Sequence, residues 1–287
     1  MPPPFLCDNR QCMRIGSYEV FAIETGEFAL DGGAMFGVVP KTLWGKKIPV
    51  DDKNRIDLRL RCLLLKGDGR NILVDCGMGT KWDAKLQELY RLDHSLYTIE
   101  KSLLEHNLTP DQITDVVLTH LHFDHAGGST YKEANGKLIP AFSKAIYYVQ
   151  KENLEWARNP TEKDKASYLK DDWEPLIQAG VLKIIEGEKE ILPGLHAKLF
   201  YGHTRAIQLP FLDDGQTKLF FCGDVIPTSV HLGLPWIMAY DNFPLITLEE
   251  KRKILKQAAA EKWILVFEHC PLISAAQIEA TEKGYHL

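Results

Sequence analysis

The sequence predicts an α/β fold, and three observations carry that prediction. Strand-like and helix-like segments alternate through both halves of the chain. Several strand candidates are short continuous apolar runs, the pattern of strands covered on both faces. Histidine or aspartate stands where such runs stop, at His120, His203, Asp224 and His269. Polar residues at strand ends along one rim of a sheet are where α/β folds place their sites.

The first element is "SYEVFAIETGEFAL" (17–30), rich in β-branched and aromatic residues and read as a strand. Residues 31–55 hold enough Gly and Pro to read as a long loop. Met35, Phe36, Val38, Val39 and Trp44 make it too apolar for a linker, so it is expected to fold over something. "LRLRCLLLKG" (58–67) and "RNILVDCG" (70–77) form a hairpin turned at Gly67-Asp68-Gly69. "KWDAKLQELYRL" (81–92) and "TIEKSLLEHNL" (98–108) read as helices, the second capped by the Thr98 hydroxyl. "DVVLTH" (115–120) is a short buried strand, "KAIYYVQ" (144–150) another, and "KENLEWAR" (151–158) a helix. A charged, helical region runs on to about 180. "VLKII" (181–185) and "LHAKLFY" (195–201) are strands, the second ending at "GHT" (202–204). "AIQLPFL" and "QTKLFFCGD" pair across Asp213-Asp214-Gly215 and end at Gly223-Asp224. "TLEEKRKILKQAAAEK" (247–262) is a helix whose Thr247 and Glu250 have capping-box spacing. "WILVFEHC" (263–270) is the last apolar strand, ending at His269. With no repeat, low-complexity tract or linker in the sequence, residues 1–287 are expected to form a single domain.

Composition narrows the class. Of 287 residues, 45% are hydrophobic and 25% charged, as in ordinary globular proteins. A net charge of -5 argues against a nucleic-acid partner, which needs a basic surface. The opening "MPPPFLCDNRQCMRIG" lacks the basic-then-apolar pattern of a secretory signal. No apolar run reaches the roughly 18 residues that would suggest a membrane span. Cys62 and Cys222 lie inside apolar strands, so reduced core thiols and a cytoplasmic location are expected. Cys7 and Cys12 are separated by four residues with no second pair, which disfavours a zinc ribbon; a disulfide between them fits the spacing but nothing requires it.

The chemistry sits in "VVLTHLHFDHAGG" (116–128), where three histidines and an aspartate fall within six residues. His120 and His122 are two apart, so in extended chain they point to one side; Asp124 continues that phase and His125 turns back. Burying four such groups without a partner costs several kcal/mol. Metal ions remove that cost, since imidazole and carboxylate both ligate zinc at about 2.0–2.2 Å. His203, Asp224 and His269 bring the candidate ligands to seven. That is too many for one tetrahedral ion and suits two divalent ions sharing a carboxylate and a water, about 3.5–4 Å apart. Zinc fits this donor set, and so do iron, manganese and cobalt. His94, His106, His196 and His286 read as ordinary surface or core histidines.

"THLHFDHAGG" resembles the metallo-β-lactamase superfamily signature T-H-x-H-x-D-H-x-G-G. "ILVDCG" (72–77), "YGHTRAIQ" (201–208), "FCGD" (221–224) and "FEHC" (267–270) resemble its other blocks, in the same order over residues 60 to 270. The resemblance implies a four-layer αβ/βα sandwich with two metals in a cleft at one edge of two facing sheets. It implies that His120, His122 and His203 hold the first metal, that Asp124, His125 and His269 hold the second, and that Asp224 bridges. Asp75 and Gly77 would hold the ligand loops in place.

A water held by such metals is acidified to a pKa of about 7. The expectation is therefore a dinuclear hydrolase in which a bridging hydroxide attacks an ester or lactone carbonyl, with Asp124 and Asp224 catalytic and Asp124 passing a proton to the leaving group. After His269 only 18 residues remain, which disfavours the glutathione-binding extension of glyoxalase II-like members. Asp224 and the absent signal disfavour the secreted β-lactamases. What remains resembles the quorum-quenching lactonases, which act on acyl-homoserine lactones, with the related organophosphate and aryl ester hydrolases as the alternative. A mono-iron oxidoreductase like the persulfide dioxygenases is the alternative of another class. Met35, Phe36 and Trp44, with His231, Trp236, Met238 and Tyr240 after the bridging aspartate, are expected to line an acyl-chain pocket. Several lactonases carry a tyrosine three residues after the bridging aspartate. Pro227 stands there, leaving His231 or Tyr240 to substitute. The partner is then a small ester or lactone, with neither nucleic acid nor membrane, and a homodimer through the apolar 31–48 segment is expected.

Overall fold

Alternation decides which side each strand buries. In the strand Tyr18–Asp31, Val20 and Ala22 face one way and Phe21 and Ile23 the other. Leu63 and Leu65 oppose Cys62 and Leu64 in Arg55–Gly67, and Val117 opposes Val116 in Asp115–Val117. Both faces are apolar, so both must be covered. The computed structural model describes residues 12–287 and shows how.

A seven-stranded sheet runs in the order Met13–Ile15, Tyr18–Asp31, Arg55–Gly67, Arg70–Val74, Asp115–Val117, Ile146–Gln150 and Leu182–Ile185. Its first four strands pair antiparallel and the rest parallel, with Ile72 opposite Asp115 and Val117 opposite Tyr148. A six-stranded sheet follows: Lys189–Leu192, Leu195–Phe200, Ile207–Asp213, Lys218–Phe221, Ile264–Val266 and Ala275–Ala276. Inner-face residues of both, among them Val20, Leu63, Val74 and Val117 against Leu195, Leu219, Phe221 and Val266, form one core. The outer face of the first sheet carries Leu103, Leu154, Trp173 and Leu176 from helical segments. The outer face of the second carries Ile254, Leu255 and Ala258 of helix Pro244–Glu261. The result is the four-layer αβ/βα sandwich. Each fully buried Leu or Phe contributes roughly 1.5–3 kcal/mol.

Helix Lys151–Arg158 matches its expected limits, and Thr98 caps Ile99–Glu105 by accepting from the Lys101 amide. The helix expected over 81–92 spans Ala84–Tyr90, and the strand expected to end at His269 stops at Val266. Two further differences bear on the site. The 31–55 loop contains two short helices, Gly32–Phe36 and Lys41–Trp44. Asp31 supplies the cap by accepting from the Ala34 amide at 2.8 Å, and Asn54 holds the same carboxylate. Helix Pro244–Glu261 begins three residues before the expected box, because Pro244 at its first position sets φ for the turn. Glu250 is thereby released from capping its own helix and accepts instead from the Tyr201 and Gly202 amides. Cys12 is exposed, and Cys7 lies outside the described residues. No helix among the described residues is long and apolar enough to cross a membrane.

Candidate metal centre

The ligand segments all leave strands at one rim. Thr119 to His125 follows Asp115–Val117, His203 follows Leu195–Phe200, Asp224 follows Lys218–Phe221, and His269 follows Ile264–Val266. Asp75 leaves Arg70–Val74 in the left-handed region at φ 59, a conformation uncommon for a non-glycine residue. Its carboxylate accepts from the Thr119 amide and hydroxyl, both at 2.7 Å, and lies 3.1 Å from His125 Nδ1. One residue thus ties the neighbouring strand end to the ligand loop. Gly77, at φ 64, could not carry a Cβ, which would sit 2.2 Å from Thr25 Oγ1.

Two sets of ligand atoms converge: His120, His122, His203 and Asp224, and Asp124, His125, Asp224 and His269. Asp224 belongs to both, with Oδ2 at 3.1 Å from His203 Nε2 and Oδ1 at 3.1 Å from His269 Nε2. All seven residues are buried. Their tautomers are fixed from behind. His269 Nδ1 donates to the Arg59 carbonyl at 2.8 Å, His203 Nδ1 lies 2.9 Å from Asp241 Oδ1, and His120 Nδ1 lies 3.0 Å from the Thr119 hydroxyl. His125 Nδ1 meets Glu268 Oε1 at 3.0 Å as well as Asp75. Four Nε2 lone pairs therefore aim inward, and His122 adds Nδ1 from the other side.

The donor set fits cations. His122 Nδ1 stands 2.9 Å from His120 Nε2 and 3.1 Å from His203 Nε2, and His125 Nε2 stands 3.3 Å from His269 Nε2. Lone pairs at such separations repel unless protons or cations lie between them. Protons answer poorly. Burial and the neighbouring imidazoles push His120 and His122 well below the usual imidazole range. Asp224, overcoming burial, draws His203 and His269 up to about 9. Among the described residues, the one donor near Asp224 Oδ1 is His269 Nε2 at 3.1 Å, and that contact lacks hydrogen-bond geometry. Buried ligands with opposed demands for protons suit metal ions, which satisfy both sets at once.

The sets open into a cavity of about 210 Å³. Met35, Met238, Leu30, Leu58, Phe123 and Tyr90 give it an apolar side; Tyr240, Lys163, Asp164 and Ser167 give it a polar one. Larger hollows, about 310 and 810 Å³, touch none of the seven. Of the expected pocket residues, Met35, Met238 and Tyr240 line the cavity; Phe36, Trp44, His231 and Trp236 do not. Phe36 stacks on Trp44 and on His231, with ring centroids 5.2 and 4.7 Å apart, and meets Trp236 edge-on. They form the packed layer behind the wall. His231 has both nitrogens engaged, Nε2 donating to the Met35 carbonyl and Nδ1 facing the Thr228 hydroxyl, each at 2.8 Å. Asp241, Glu268, Tyr90, Phe123 and Lys163 were not singled out from the sequence. Their partners lie tens of residues away, so no local spacing reveals them.

Imidazoles and carboxylates gathered at the rim of an αβ/βα sandwich define a metal-dependent hydrolase. The sequence profile of the metallo-β-lactamase superfamily matches residues 61–269. N-acyl homoserine lactonase AiiB of Agrobacterium fabrum is 30% identical over 285 residues, covering 93% of this chain and 99% of its own. A crystal structure of a probable metal-dependent hydrolase from Staphylococcus aureus is 28% identical and superposes with a TM-score of 0.86 over 95% of each chain. AidC, a dizinc quorum-quenching lactonase, shares the fold with a TM-score of 0.75 at 24% identity, over 96% of this chain and 95% of its own. The chain belongs to the metallo-β-lactamase superfamily.

Proposed function

We propose that the protein is a dinuclear lactonase that opens lactones bearing an apolar acyl chain, of the N-acyl homoserine lactone type. The observation that carries this reading is two buried ligand sets sharing Asp224 at the floor of a half-apolar cavity. The names of the relatives support it. His120, His122 and His203 would hold one ion, Asp124, His125 and His269 the other, with Asp224 between them. Two divalent cations bound there, zinc suiting the donors, supply an acidified water and Lewis-acid polarisation of a carbonyl.

The chain's own residues do the rest. Asp241, Glu268, Asp75 and the Arg59 carbonyl hold the imidazoles in the ligating tautomer. Asp124 Oδ2, 3.6 Å from both His125 and His269, faces the cavity, where it can take the proton of the attacking water and return it to the leaving alkoxide. Of the two residues expected to replace the phenol missing at Pro227, His231 is fully engaged and Tyr240 lines the cavity. Its hydroxyl would donate to the substrate carbonyl oxygen. Met35, Met238, Phe123 and Leu58 receive the acyl chain.

The test is metal analysis joined to a panel of acyl lactones, aryl esters and phosphotriesters. Two ions per chain with lactones turned over fastest is the expected result. One iron per chain, or phosphotriesters preferred over every lactone, overturns the reading. Tyr240→Phe should lower kcat by roughly 10²-fold or more, the scale of losing one such donor, with metal content unchanged.

A further inference from the structure

Residues 240–243 thread between the His203 turn and a second loop, and both sides grip them. On the ligand side, the Asn242 amide donates to the His203 carbonyl at 3.0 Å and the Phe243 amide to the Gly202 carbonyl at 2.8 Å. Asp241 lies 2.9 Å from His203 Nδ1. On the other side stand Lys163 and Asp164. Lys163 Nζ donates to the Tyr240 carbonyl at 2.9 Å, the Asp241 carbonyl at 3.2 Å and Asn242 Oδ1 at 3.1 Å. Asn242 Nδ2 donates to Asp164 Oδ2 at 2.7 Å. Adjacent residues of one loop therefore hold both ends of a single side-chain amide, and Asp164 is itself anchored by Thr161 and Trp156.

An ammonium has three N–H donors. Lys163 has three acceptors on three successive residues, so none of its donors is left for a ligand in the cavity it borders. We infer that Lys163 is a positioning residue. It fixes the 240–242 backbone so that Asp241 holds His203 with Nε2 aimed at the first metal set and Tyr240 stands in the cavity wall. The inference rests on His203 being a metal ligand, as proposed above.

The full chain, stripped of metal, is titrated with zinc against a chromophoric chelator, comparing Lys163→Met, Asp241→Asn and the double variant. Asp241→Asn should weaken zinc roughly 10- to 100-fold, the usual cost of losing a carboxylate behind a ligating histidine. Lys163→Met, acting at one remove and near solvent, should weaken it about 3- to 10-fold with Tm unchanged. If Lys163 works through Asp241, the double variant matches Asp241→Asn alone. Because Lys163 is exposed, its loss leaves the core intact; Lys163→Gln, which keeps donors on a shorter stem, gives an independent and smaller change in the same direction. Unchanged zinc affinity, additive losses, or a rise in KM alone overturns the inference. Failure of the parent chain to bind zinc overturns the metal-site reading instead, so the two failures are told apart.

Discussion

Each imidazole of the cluster except His122 has Nδ1 committed to an oxygen, and that commitment leaves its other nitrogen with a lone pair able to ligate. A buried lysine braces the layer behind the wall. Lys251 on helix Pro244–Glu261 is 1% exposed and donates to the Gly233 and Trp236 carbonyls, each at 2.7 Å. Burial pulls its ammonium down to about 7, against Asp241, which favours the charge. An unfolded lysine keeps its proton to about 10.4. Between those values the unfolded chain holds a proton that the folded chain has lost, so this group makes stability rise with pH; below about 7 both states are charged and the burial cost is full. Lys251→Met abolishes the titration. Its stability relative to the parent should therefore fall as pH is raised from about 6.5 to about 9.5, read from urea midpoints at each pH; a flat difference means that Lys251 does not titrate in that window. The seven ligand candidates were legible because six positions of one short motif hold four of them and the other three end apolar strands. Asp241 was not legible: it sits in a loop, 38 residues from the histidine it orients.

At the scale of elements, strand ends place the ligands and close packing aims them. Gly202 precedes His203, and a Cβ there would lie 2.3 Å from the Thr247 amide nitrogen and 2.5 Å from its Cα. Backbone of helix Pro244–Glu261 cannot yield as a flexible side chain would. Gly202→Ala should cost about 1–3 kcal/mol, as overpacking does. It should also weaken zinc, because the turn that carries His203 is pushed off the helix. Denaturation and zinc titration check both; an unchanged protein would show that the turn has slack. The capping-box spacing of Thr247 and Glu250 misplaced the helix start for a related reason. Glu250 finds better donors in the Tyr201 and Gly202 amides of the same turn, partners that only packing brings near. The 31–55 segment was likewise readable as apolar, yet which of its aromatics face the cavity depended on Phe36, Trp44 and His231 stacking into a layer of their own.

At the scale of the molecule, two sheets hold the rim rigid while the rim concentrates five imidazoles and two carboxylates. Removing metal leaves those groups crowded, so metal should stabilise the whole chain. At a thousandfold excess over Kd a bound ion adds about 4.1 kcal/mol. With roughly 2 °C per kcal/mol for a large domain, a chelator should lower Tm by about 8 °C and zinc should restore it. A Tm indifferent to chelator would mean that the cluster holds no ion. By itself the sequence determined the α/β class and the sheet alternation and picked out the seven candidate ligands, because residue periodicity and side-chain chemistry are local properties. Only the tertiary structure decided that His231 lies behind the wall while Tyr240 is in it, and that Lys163 and Asp241 pack behind His203. Those are distances between segments far apart in the chain, and they exist only once the layers have packed.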